Sequence, residues 1–286
     1  MVYKGSSMDK GIFSKNASLF FRGIAILMVI FSHYFEWGSA AIGNEGLSSF
    51  VASLGDWGVG IFFMLSGYAL YKGYRDKPTD RIYIIKRLKN VYIPYFVIAL
   101  IIAVFSDALH NGADALRLLT GADYWFMITI FIIYAAFYFV GKLPDKYRVF
   151  IMTVFIIDMS LWLFIKDFQN FWYTADWAFA LGMILSKHEA KIKKADQGFA
   201  VNIKDYVFCT LGRVSLYIYL LHAAVYFRIV NLQAIQNLGI NWYLQMLIAL
   251  LLTVAAALLA ESVFNGIFRF AGSKNKNHNS LREGIL

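Results

Sequence analysis

Residues 19–38 read LFFRGIAILMVIFSHYFEWG. An α-helix rises about 1.5 Å per residue, so this run is long enough to cross roughly 30 Å of hydrocarbon. It is too long for the core of a signal peptide, and no small-residue cleavage site follows it. The stretch is therefore read as a first membrane span, and it sets the class of the whole chain. Seven further stretches resemble it, at about 57–74, 91–106, 124–141, 149–165, 171–186, 206–230 and 242–268. Residues 248–260, IALLLTVAAALLA, do not alternate, which argues against a transmembrane barrel.

Composition agrees. Of 286 residues 59% are apolar and only 16% charged, with a mean hydropathy of +0.57. A soluble domain carries about a quarter charged residues and could not hide so much apolar surface. A single cysteine, Cys209, excludes a disulfide scaffold, and the absence of long polar tracts excludes a disordered chain. The reading is an all-α polytopic bundle forming one integral domain over 19–270. A basic segment precedes it at 1–18, and a polar tail follows at 271–286.

Loop charge tests the count. If eight spans alternate from an inner N-terminus, 23 of the 27 Lys and Arg residues fall on inner segments. Only Arg117, Lys166 and Arg228 fall on outer ones. That asymmetry predicts eight spans with both termini cytoplasmic, and ten if two short or re-entrant helices are added. It also accounts for the net charge of +9 through anionic lipid at the inner leaflet, so no nucleic-acid partner is expected. No internal repeat and no pair of Gly- or Pro-interrupted spans, a mark of secondary transporters, is seen.

Ionisable groups inside a bilayer are costly and point to function. Arg22 and His33 are eleven residues apart, three turns plus about 20°, so they share a helix face about 16 Å apart in height. Glu36, one turn past His33, is placed to orient the imidazole. In the second span, GVGIFFMLSGYALYKGY at 58–74, Ser66 and Tyr68 stand among glycines that permit close helix approach. In the seventh, LGRVSLYIYLLHAAVYF at 211–227, Ser215, Tyr219 and His222 share a face, and the spacing puts His222 at a height comparable with His33. Asp158, Asp176 and Glu261 also fall within spans. Five histidines and one cysteine show no metal-ligand spacing, so no metal is expected. Each of these polar residues also has a plain structural reading, as a snorkelling cation or an interhelical hydrogen-bonding group.

Taken in order, these motifs resemble the acyltransferase-3 family of multi-span membrane acyltransferases. Arg22 and His33 match its Arg-x10-His signature. GVGIFFMLSGY at 58–68 is similar to its second-span motif, and KRLKNVYIPY at 86–95 to the basic, proline-containing start of its third. YWFMITIFIIY at 124–134, WAFALGMILSK at 177–187 and SLYIYLLH at 215–222 resemble later motifs. Glu261 and Phe264 are similar to a Glu-x-x-Phe element. The chain departs from the family in the count of spans, eight against about ten, and at Asn90, where the family's Arg-x-x-Arg has a second arginine.

The resemblance implies an O-acyltransferase of the bacterial inner membrane. Acetyl-CoA or another acyl-CoA would be a co-substrate, with no bound cofactor, and the acceptor would be a hydroxyl of a cell-surface glycan or other carbohydrate. Arg22, Lys86, Arg87 and Lys89 would meet the phosphates of the donor. His33, with Glu36 and His222, would serve catalysis as general base, a covalent acyl-histidine relay being the lesser route. Ser66, Tyr68, Ser215 and Tyr219 would contact the oxyanion or the acceptor. The rival readings are a transporter or flippase of a lipid-linked sugar or small solute, and a non-catalytic membrane scaffold.

Overall fold

The computed structural model describes residues 11–38, 45–195 and 205–283, with side chains over 11–38, 46–192, 205–233 and 235–270. Lys4, Lys10 and Lys204, counted above on inner segments, and the side chains of the polar tail lie outside the described residues. The chain divides into two compact units, Met1–Ser215 and Leu216–Leu286.

In the first unit, α1 spans Lys15–Trp37 and starts where the Ser14 side chain accepts a hydrogen bond from the Ala17 N–H at 3.1 Å. Helix α2 runs over Glu45–Tyr74, longer than the 57–74 read from hydropathy. Helix α3 (Arg81–Arg87) begins at Asp80, whose carboxylate accepts from the Tyr83 N–H at 3.1 Å. It passes through a π-helical turn, Leu88–Tyr92, into α4 (Ile93–Phe105), with Pro94 in the first turn of α4. Then follow α5 (Gly112–Thr120), α6 (Trp125–Val140), α7 (Asp145–Ile165), α8 (Trp177–Lys187), α9 (Glu189–Ala195) and α10 (Tyr206–Arg213). In the second unit α11 (from Ser215, which closes the first unit, to Val230), α12 (Gln233–Asn237) and α13 (Trp242–Glu283) complete the chain. Within it the Trp242 indole donates to the Tyr226 hydroxyl at 3.0 Å, and the rings of Tyr217 and Phe264 lie 5.7 Å apart.

Five of these helical segments are long and apolar enough to cross a membrane, or seven if each of two interrupted pairs is one span. The sequence count of eight included 171–186, where the structure has a short 3-10 turn (Asn170–Trp172) and the eleven-residue α8. At 1.5 Å per residue α8 covers about 16 Å, half the hydrocarbon thickness. The absence of interrupted spans read from the sequence is corrected. Helices α5 and α6 are bent by 62°, and only Val214 separates α10 from α11. The first break has local causes. Asn111 and Asp114 form a capping box that starts α5, and Gly121, at φ +82°, ends it in the left-handed conformation.

Small residues set the packing in the first unit. A Cβ on Gly67 would collide with the Phe179 carbonyl of α8, and one on Gly182 of α8 with the Met64 carbonyl of α2. The crossing of α1 and α10 repeats the device: Gly23 faces the Phe208 carbonyl, and Gly212 faces the Leu19 carbonyl. Gly58 of α2 approaches the Ala25 carbonyl of α1. Backbones thus meet backbones at three crossings, and α1 is held between α2 and α10. Near its far end the Ser32 hydroxyl donates to the Ala52 carbonyl at 2.6 Å, fixing the level of the next residue, His33.

Two polar clusters secure the C-terminal end of α2. Glu189 Oε1 accepts from the Ile12 N–H at 2.5 Å, the Tyr68 hydroxyl at 2.7 Å and Lys72 Nζ at 3.2 Å. Buried Arg148 donates to the carbonyls of Leu143 (2.7 Å) and Tyr74, closing the C-terminal end of α2 against the start of α7.

Candidate functional site

Helix α3 reaches the bundle through two tethers to α6. The Thr79 hydroxyl donates to the Tyr138 carbonyl at 2.5 Å, and the Tyr83 hydroxyl donates to the Tyr134 carbonyl at 2.8 Å. Tyr83 also stacks on the rings of Phe137 and Tyr138. These contacts fix which face of α3 turns inward. Of the three cations in KRLK, Lys86 and Lys89 are exposed, whereas Arg87 is half-buried. Its guanidinium lies over the rings of Tyr134 and Tyr83, at 5.2 and 5.9 Å from their centroids.

Arg22 comes to the same place. Its half-buried guanidinium is within electrostatic reach of both Tyr134 and Arg87. Neither arginine makes a hydrogen bond or an ion pair with a described residue, and the Arg87 Nε is buried without an acceptor. Two like charges within electrostatic reach of each other, with no described carboxylate between them, repel each other.

His33 stands eleven residues further along the same uninterrupted α1. Its half-buried ring stacks on Trp37, with centroids 5.3 Å apart and planes 17° off parallel. Glu36, assigned from sequence to orient the imidazole, is exposed and makes no bond to a described residue; the neighbour the structure gives His33 is Trp37. The stack is an i, i+4 pair and could have been found from spacing.

The remaining residues separate. Ser66 is half-buried on α2. Tyr68 turns its hydroxyl to Glu189 and Lys72, so that group is occupied in this structure. The Ser215 hydroxyl donates to the Gly212 carbonyl at 3.0 Å. Tyr219 and His222 belong to the second unit, where His222 Nδ1 lies 2.6 Å from the Tyr219 carbonyl. A carbonyl only accepts, so Nδ1 is the donor in this pair. Asp176, buried, accepts from the Ser160 hydroxyl at 3.1 Å, whereas Asp158 is exposed on α7. Sequence reasoning did not single out Tyr134, Trp37 or Glu189. Tyr134 closes a quoted motif, but nothing in the sequence marks it as the ring over which Arg87 lies.

One comparison with known proteins bears on this arrangement. A family model for an acyltransferase domain, that of the acyltransferase-3 family, matches residues 20–204, from the start of α1 to just before α10. No curated protein and no solved structure matches the chain.

Proposed function

The chain belongs to the acyltransferase-3 family and is a multi-pass membrane acyltransferase, and we propose that it moves an acetyl group from acetyl-CoA to a hydroxyl of a cell-surface carbohydrate. The observation that carries this reading is the pair Arg22 and Arg87, two guanidiniums within electrostatic reach of each other and without a described carboxylate partner. Phosphates are the anions that guanidinium groups bind best, and coenzyme A carries them. Lys86 and Lys89, exposed on the same short stretch, draw the donor in.

From Arg22 the first helix leads three turns to His33. The pantetheine arm follows that path and delivers the thioester carbonyl to the level of the imidazole. His33 takes the proton of the acceptor hydroxyl as that oxygen attacks the carbonyl carbon. The C–S bond breaks as the tetrahedral intermediate collapses, and the proton passes to the departing thiolate. Trp37 restricts the ring of His33 by stacking. Ser66 is the further polar group of the first unit that the reading draws on, and the protein works in the bacterial inner membrane with both termini in the cytoplasm.

A transporter reading has one observation in its favour, the interrupted pair α5 and α6. Mass spectrometry of surface glycans decides between them. A deletion strain loses an acetyl substitution that the wild-type gene restores and His33→Ala does not. Identical glycans in all three strains would overturn the proposal, and loss of the whole glycan instead of its acetyl group would favour the transporter.

A further inference from the structure

A groove of about 590 Å3 lies between the run Arg81–Phe105 and α6. Its shape follows from helical spacing. On α6 the exposed residues Ile132, Ala135 and Phe139 form one stripe; opposite them stand Ile84, Leu88 and Tyr92, one turn apart. The lining extends from Ile128 to Phe139 on α6, a rise of about 16 Å, so the groove is a furrow parallel to helices that cross the bilayer. The volume is in the range of sites that enclose a small ligand, about 300–1,000 Å3.

The two ends of the furrow differ in charge. At the end formed by Tyr83 and Tyr138, Lys142 Nζ stands 4.1 Å over the Tyr138 ring, and Arg81 and Lys86 are exposed on α3. At the other end the nearby cation, Arg117, is neutralised by an ion pair with Asp123. Between them the wall is apolar and aromatic, and Arg87, the charged residue in it, has its guanidinium turned over the rings of Tyr83 and Tyr134. A furrow along the bilayer normal, apolar in its length and cationic at one mouth, matches one kind of molecule: a lipid with an acyl chain and an anionic head.

We propose that this groove is a binding site for an anionic glycerophospholipid, with one acyl chain lying along Ile132, Ala135 and Phe139 and the phosphate held at the mouth by Lys142 and Arg81. The lipid abuts the wall that carries Arg87, so it supports the position of that arginine without entering the reaction. The site is independent of the identity of the donor and is read by lipid retention, not by turnover.

The test is native mass spectrometry of the full-length protein released from detergent, titrated with phosphatidylglycerol and, separately, phosphatidylcholine. Phosphatidylglycerol is retained preferentially. Lys142→Gln, at an exposed position, lowers its apparent affinity about fivefold, the worth of one basic residue near an anionic headgroup, and leaves phosphatidylcholine unchanged. Ala135→Trp fills the furrow and removes both adducts, whereas Leu161→Trp on the exposed face of α7 removes neither. Equal retention of the two lipids, or Lys142→Gln binding like wild type, overturns the anionic site. Full retention by folded Ala135→Trp overturns the location.

Discussion

Arg22 and Arg87 come from separate helices, yet stand within electrostatic reach of each other and of one phenol, Tyr134. Two like charges so placed repel each other, and the phosphate of the proposed donor would relieve that repulsion.

Arg22→Gln and Arg87→Gln should each raise the KM for acyl-CoA about ten- to hundredfold, the worth of one charged hydrogen bond. The double variant should lose less than the product of the two single effects, because both act on one anion. Arg22→Lys should retain part of the activity, since a lysine supplies charge without the bidentate fork. Steady-state kinetics with varied donor at saturating acceptor measures all three. An unchanged donor KM in both single variants would remove the arginine pair from the donor site.

His33→Ala should fold and insert normally while kcat falls about 10²- to 10⁴-fold, the usual contribution of a general base. Trp37→Leu removes the stacking partner and should lower kcat by less, with the donor KM unaffected. Donor binding by His33→Ala, followed by displacement of a labelled CoA analogue, separates lost chemistry from lost binding.

Gly67→Ala and Gly182→Ala should each destabilise the protein, because each added methyl meets a backbone carbonyl that cannot swing aside. Overpacking of this kind costs about 1–3 kcal/mol. Thermal unfolding in detergent, followed by fluorescence, measures it. Gly73→Ala, where no atom lies within 4 Å of the new methyl, should have no such effect.

Glu189 gives a pH prediction. Burial alone would raise its pKa, but hydrogen bonds from Tyr68, Lys72 and the Ile12 N–H outweigh burial and hold the carboxyl below its ordinary value. A folded-state value below the unfolded one means that its contribution is complete above the usual glutamate range, about pH 4.3. That contribution is lost as pH falls through the lower folded value. Glu189→Gln should therefore melt below wild type at neutral pH, and the gap between the two should close in acid. A gap that stays constant down to pH 3 would assign the stabilisation elsewhere.

Much of the architecture could be read in the sequence because apolar runs report span-length helices directly. The register of Arg22 and His33 on α1 needed only the helical period. The number of spans did not follow, because hydropathy averages over breaks: a capping box at Asn111 and a left-handed Gly121 split one apolar region into two helices. Nor could the sequence rank the cations of KRLK. Lys86, Arg87 and Lys89 are equivalent until Tyr83 and Thr79 bind α6 and turn Arg87 inward. Tyr68 taught the same lesson, since its hydroxyl is taken by Glu189, from a distant part of the chain.

The glycine crossings have a consequence for how such a chain can change over generations. Gly67 with Gly182, and Gly23 with Gly212, are joined as lock halves: a bulkier residue on one member demands displacement of the helix bearing the other. Each pair is therefore constrained to vary jointly. Drift is left to the lipid-facing side chains, while the helix axes that carry Arg22 and His33 remain fixed.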